Sequence, residues 1–129
     1  MHEFSIVSSL MLLIEEQVKK YKAKAVTKVV LGVGRLSGVE PDLLQIAFDT
    51  FKEKTVCENA ELVIEIEDVK IRCRDCGKET VLGERLTRKC PHCGSLNTEI
   101  SGGQDMYLKS LELEMDEEEE TRGVEQKKD

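Results

Sequence analysis

A chain of 129 residues with a formal net charge of −7 holds one ordinary domain, or a modest one carrying a small appendage that could not fold unaided. The acidity is local: Glu112 to Asp129 supply −6, while the first 111 residues, with 17 acids against 16 bases, are nearly neutral, so whole-chain charge defines no partner. Five cysteines fit a reducing cytosol better than a disulfide framework, which usually has an even count, and the apolar stretch Ile6 to Ile14 is too short to span a bilayer, so a cytoplasmic chain without membrane contact is expected.

From Phe4 to Tyr21, Val7, Leu10, Met11, Ile14, Val18 and Tyr21 recur at spacings of three and four, with Ile6 and Leu13 widening the stripe. That period predicts an amphipathic helix. Lys19, Lys20, Lys22 and Lys24 gather at its carboxyl end, where they complement the helix dipole. Val26 to Val33 is β-branched and reads as a strand, broken by Gly32 and Gly34. A second helix opens at Glu40-Pro41, since proline suits the first helical position, with Leu44, Ala47, Phe48 and Phe51 toward the core.

Leu62, Ile64 and Ile66 alternate with Val63, Glu65 and Glu67, which predicts a half-buried strand with the two glutamates on a solvated face. Leu108 to Met115 alternates again, with Leu111, Leu113 and Met115 inward; Tyr107 and Lys109 fit that phase poorly, which points to a bulge or a register change. The order predicts an α+β fold: two helices packed on a small three-stranded sheet, with an inserted four-cysteine zinc-ribbon-like domain that resembles the enlarged turn of a hairpin. Residues 1–69 and 104–115 form the main domain, 70–103 the insert, and 116–129 an acidic, disordered tail.

The insert carries the clearest chemistry. Cys73-Arg-Asp-Cys76-Gly77 and Cys90-Pro-His-Cys93-Gly94 are two Cys-x-x-Cys pairs, each running on into glycine. The two-residue gap lets one tight turn aim both sulfurs of a pair at a single ion, and four thiolates suit tetrahedral Zn²⁺. Four protein ligands leave no open position, so Cys73, Cys76, Cys90 and Cys93 read as a structural site. Lys70, Arg72, Arg74, Lys78, Arg85, Arg88 and Lys89 surround them and offset the −2 formal charge of a zinc tetrathiolate, the charge balance of Zn²⁺ with four thiolates. Cys57 reads as a small buried or half-buried thiol, and His92 as an exposed residue of the second turn.

The other candidate is Met1-His2-Glu3. An α-amine, the His2 imidazole and the intervening backbone amides can close fused chelate rings in a nitrogen-rich planar set suited to Ni²⁺ or Cu²⁺. Against it stands the plain reading of His2 as a residue on a frayed terminus. No nucleophile elbow, phosphate loop or dinucleotide fingerprint is present, so no enzyme is expected. The competing reading is a zinc-ribbon nucleic-acid-binding or transcription-associated module, since seven bases face three acids between Lys70 and Cys90. The ribbon, however, offers no aromatic stacking platform, and no nucleic-acid partner is expected.

Met1-His-Glu-Phe-Ser-Ile-Val7, Leu31-Gly-Val-Gly-Arg-Leu-Ser-Gly38, the cysteine tetrad and the return segment Ser101 to Glu114 together resemble the HypA/HybF family of hydrogenase maturation factors. The resemblance spans most of the chain and stops before the tail. It implies a nickel metallochaperone, an α/β nickel-binding domain carrying a zinc domain. Such a protein works with the GTPase HypB to deliver Ni²⁺ to the large subunit of NiFe-hydrogenase. Carried onto this sequence, Met1, His2 and Glu3 would hold Ni²⁺ as transferable cargo, while Cys73, Cys76, Cys90 and Cys93 would hold structural Zn²⁺. Lys78 and Gly94 stand near positions where some members carry histidine, and only His92 remains here. A monomer or weak homodimer is expected.

Overall fold

The computed structural model describes residues 3–116 and the backbone of residues 125–127. Helix α1 (Glu3–Tyr21) precedes strand β1 (Ala25–Gly34), helix α2 (Pro41–Phe51) and strand β2 (Glu61–Glu67). Strands β3 (Lys70–Cys73), β4 (Glu79–Val81) and β5 (Thr98–Gly102) follow, then β6 (Met106–Glu114) and a short β7 (Glu125–Lys127). Two sheets result, ordered β2-β1-β6-β7 and β4-β3-β5.

The three-stranded sheet of the sequence reading is present as β2-β1-β6. Glu125–Lys127, which the charge run assigned to a disordered tail, instead pair with Ser110–Glu112 as a fourth strand. Backbone hydrogen bonding along the edge of β6 is available to any extended segment, whatever its charge. The other tail residues, 117–124 and 128–129, lie outside the described residues.

β1 is central because it is the most apolar strand, with Val26, Val29, Leu31 and Val33 all buried. It pairs in parallel with β2, so α2 is the crossover of a β1-α2-β2 unit, and antiparallel with β6. The helices cover one face. Val7, Leu10, Met11, Ile14 and Val18 of α1 meet Leu44, Ala47 and Phe48 of α2 and the inward residues of the sheet in one core. Each such side chain, fully buried, contributes about 1.5–3 kcal/mol.

Three expectations need correction. Phe51 is 40% exposed and packs edge-on against Phe4, with ring centroids 5.4 Å apart, because the second helix ends there and its last turn clears the sheet. Ile66 is 43% exposed, since the inward face of β2 runs past the helices toward its carboxyl end. The insert is not the turn of a β2–β6 hairpin, because β1 lies between those strands; the hairpin stem is β3 with β5.

The bulge expected near Lys109 is present. Val30 pairs with Ser110 and Leu31 with Leu108, so Lys109 is the extra residue and both Leu108 and Leu111 can face the core. On the opposite face Lys109 Nζ donates to Glu65 at 2.6 Å, and the Tyr107 hydroxyl donates to Glu67 at 2.6 Å. Tyr107 reaches Glu67 across Gly32, where an added Cβ would come within 2.8 Å of the tyrosine ring.

The two sheets are joined by close backbone packing. Gly34 N donates to Asp105 O at 2.8 Å, Arg35 N to Glu67 O at 3.0 Å and Leu36 N to Gly103 O at 2.8 Å. A Cβ on Gly34 would lie 2.3 Å from Gly103 O, so only glycine permits this approach. Arg35 Nε adds a 2.6 Å bond to Asp68. The second sheet has a small core of its own, Val69, Ile71 and Leu82.

Candidate metal centre

Each cysteine pair is a self-closed turn. Gly77 N donates to Cys73 O at 2.8 Å and Gly94 N to Cys90 O at 2.8 Å, with φ of 78° at Gly77 and 79° at Gly94. Both glycines occupy the left-handed conformation that other residues adopt at a cost. Within the turns, Cys76 N points to Cys73 Sγ at 3.4 Å and His92 N to Cys90 Sγ at 3.4 Å. The repetition of one geometry in two turns is what the shared Cys-x-x-Cys-Gly pattern encodes.

The turns face each other across the end of β3. All four sulfurs lie within 4.8 Å of one another, with Cys73 Sγ 3.6 Å from Cys93 Sγ and Cys76 Sγ 3.7 Å from Cys90 Sγ. Four thiolates bound tetrahedrally to Zn²⁺ at about 2.3 Å stand about 3.8 Å apart, so the donor set fits zinc in kind and spacing. Cys73 and Cys90 are buried, and Cys76 and Cys93 are exposed, which places one side of the cluster at the surface. Structural zinc is therefore the resident metal that this site suits.

Backbone dipoles prepare the sulfurs unequally. The Cys76 amide lowers the Cys73 thiol from its ordinary value. Burial opposes ionisation of Cys90, yet the amides of Cys93 and His92 bring it down to about 7. Cys93 is pushed up to about 12: the Ser95 amide favours its thiolate, and the Cys73 sulfur and burial outweigh that. Four crowded sulfurs cannot all ionise without a cation, which is the electrostatic expression of a metal site.

Two of the surrounding bases have protein partners as well. Arg74 pairs with Glu99 at 2.8 Å, and Arg88 donates to Thr98 O at 3.0 Å while the Thr98 hydroxyl returns a 2.5 Å bond to Arg88 O. These contacts hold the insert's loops.

Met1 and His2 lie outside the described residues. Glu3 opens α1 and is buried, and its Oε2 accepts the Glu40 amide at 3.0 Å, at the start of α2. A carboxylate there satisfies one amide of the helix entrance and complements the α2 dipole. The sequence reading placed Glu3 in a metal-binding segment but missed this contact. The signal available was the unsatisfied start of α2, where Glu40 makes no side-chain cap of its own.

A family model described as "Hydrogenase/urease nickel incorporation, metallochaperone, hypA" matches residues 1–113. The chain belongs to the HypA family. The hydrogenase maturation factor HypA of Aquifex aeolicus is 64% identical over 116 residues, covering 90% of this chain and all of that protein. That of Wolinella succinogenes is 48% identical, covering 92% of this chain and 99% of the relative. The solution structure of the Ni metallochaperone HypA from Helicobacter pylori superposes with a TM-score of 0.67 at 39% identity, covering 90% of this chain and 100% of the other. Membership of the HypA family decides between the two readings of the insert: this is a metallochaperone for nickel incorporation, acting in hydrogenase maturation. Among the described residues, no helix is long and apolar enough to cross a membrane.

Proposed function

We propose that this HypA-family chain binds Ni²⁺ through the α-amine of Met1, the imidazole of His2 and backbone nitrogens of the Met1-His2-Glu3 segment. In the cytoplasm, with a HypB-type GTPase, it passes the ion to the large subunit of NiFe-hydrogenase. It is a carrier, not an enzyme. Residues 1–69 and 104–115 form the nickel-binding domain. Residues 70–103 form the zinc domain, with Cys73, Cys76, Cys90 and Cys93 as the zinc ligands.

The observation that carries the reading is the family match that begins at Met1, on a chain whose Glu3 carboxylate is tied to the start of α2. That tie holds the last residue of the proposed chelating segment against the folded body. A surface chelate at a chain end is open to attack by a partner's ligands, whereas a closed tetrathiolate is not, so release belongs to the terminus and rigidity to the cysteines.

Nickel titration of untagged protein by calorimetry tests the assignment. His2→Ala should abolish specific Ni²⁺ binding and leave zinc content unchanged. Equal nickel affinity in wild type and variant would remove the terminus from the site.

A further inference from the structure

The two cysteine turns are each closed by their own backbone, so their internal bonds do not fix where one turn stands relative to the other. Direct backbone pairing brings them close but stops short. The β3–β5 ladder ends at Cys73 opposite Thr98, and one further bond, Arg74 N to Asn97 O at 2.9 Å, extends it by a residue. Beyond that the chain turns away at Asp75, between the first two ligands, and the ladder cannot continue.

Side chains take over at that point. Asp75 Oδ2 accepts the Ser95 hydroxyl at 2.5 Å, and Asp75 Oδ1 accepts the Asn97 side-chain amide at 3.2 Å. The Ser95 hydroxyl also accepts the Asn97 backbone amide at 2.9 Å, while the Ser95 carbonyl accepts the Cys90 amide at 2.8 Å. Ser95 is thus bonded both to the tip of the first turn and to the first cysteine of the second. The arrangement runs from one ligand pair to the other without passing through a metal ion.

We infer that Asp75 is a positioning residue for the metal site: with Ser95 and Asn97 it clamps the two cysteine turns together, so that four sulfurs converge before the ion arrives. The inference rests on the reading of the tetrad as the zinc site and adds which side chains set its geometry. A hydrogen bond at the surface is worth little when water competes, but a carboxylate accepting two donors makes the stronger, charge-assisted kind. Its effect on a metal is larger than on folding, because a ligand set held ready does not have to be ordered by the ion. Outer partners of metal ligands typically change affinity by about 10- to 100-fold when removed.

The test uses the full chain. Zinc affinity is measured by competition with the chromophoric chelator 4-(2-pyridylazo)resorcinol, and cobalt substitution reports the sulfur ligand field. Asp75→Ala and Ser95→Ala should each weaken zinc on the order of 10-fold, the double variant no more than either alone, and Ser95→Thr should retain wild-type affinity because it keeps the hydroxyl. In metal-free protein the Asn97 amide should exchange with solvent more slowly in wild type than in Asp75→Ala. Affinities within twofold of wild type, additive losses, or a Ser95→Thr variant as weak as Ser95→Ala would overturn the clamp while leaving the tetrathiolate reading intact. A wild-type chain whose cobalt spectrum lacks sulfur-to-metal charge transfer would overturn both.

Discussion

The helical unit and the cysteine unit solve the same problem by different means. The first buries Phe48, Ile14, Leu31, Leu44 and Leu111 completely, within a core drawn from α1, β1, α2 and β6. The second has only Val69, Ile71 and Leu82 in its core and leaves Leu86 and Leu96 exposed. A piece that small cannot offset its conformational entropy by apolar burial. Metal–sulfur bonds must supply the difference, and an apparent binding energy of about 10–16 kcal/mol is available from structural zinc. One unit is therefore held by area and the other by a point.

The largest test of that contrast is Cys73→Ala. Loss of one ligand should unfold the insert while α1 stays formed, so amide exchange should quicken across β3, β4 and β5 and hold steady in α1 and β1. A single cooperative loss of both units would mean that the junction at Gly34 and Gly103 couples them more tightly than their separate cores imply. The mirror experiment is Phe48→Ala, which removes a fully buried ring and should lower stability by about 3–5 kcal/mol. Zinc content by elemental analysis should remain that of wild type; zinc loss in step with unfolding would break the comparison.

A smaller effect sharpens the same point from inside the large core. Cys57 is fully buried, and burial, followed by the nearby Glu15 charge, pushes its thiol up to about 11 from an ordinary 9.0. A raised value in an acid means that the folded state favours the neutral thiol. The associated stability is fully present below pH 9 and declines as pH rises from about 9 toward 11. Melting temperature followed over that range should fall more steeply in wild type than in Cys57→Ala, and parallel profiles would show that the thiol meets water. The tetrad differs, since backbone amides favour the thiolates of Cys73 and Cys90 while crowding by neighbouring sulfurs and burial hold Cys76 and Cys93 up.

Local patterns carried far. Val7, Leu10, Met11, Ile14 and Val18 are buried as their period required, because helical faces follow from spacing alone, whereas Leu13, expected to widen the stripe, is exposed. Lys109 sits at the expected bulge, since only a slipped register lets Leu108 and Leu111 share a face. The two sulfurs within each cysteine pair share a turn because each turn is specified by four or five adjacent residues. Where the reading failed, the missing information was nonlocal. Phe51 and Ile66 carry the right residue type at the right phase, but each lies at an element's end beyond the reach of the layer that would cover it.

The sequence by itself determined both helices, strands β1, β2 and β6, the core stripe of α1 and which four sulfurs belong together, because periodicity and ligand spacing act over a few residues. Tertiary structure decided the rest. It set β1 between β2 and β6, tied Glu3 to Glu40 and brought Asp75 to Ser95, twenty positions away in the chain. Such pairings depend on which surfaces meet once the layers pack, and no short-range preference of the residues involved encodes that choice.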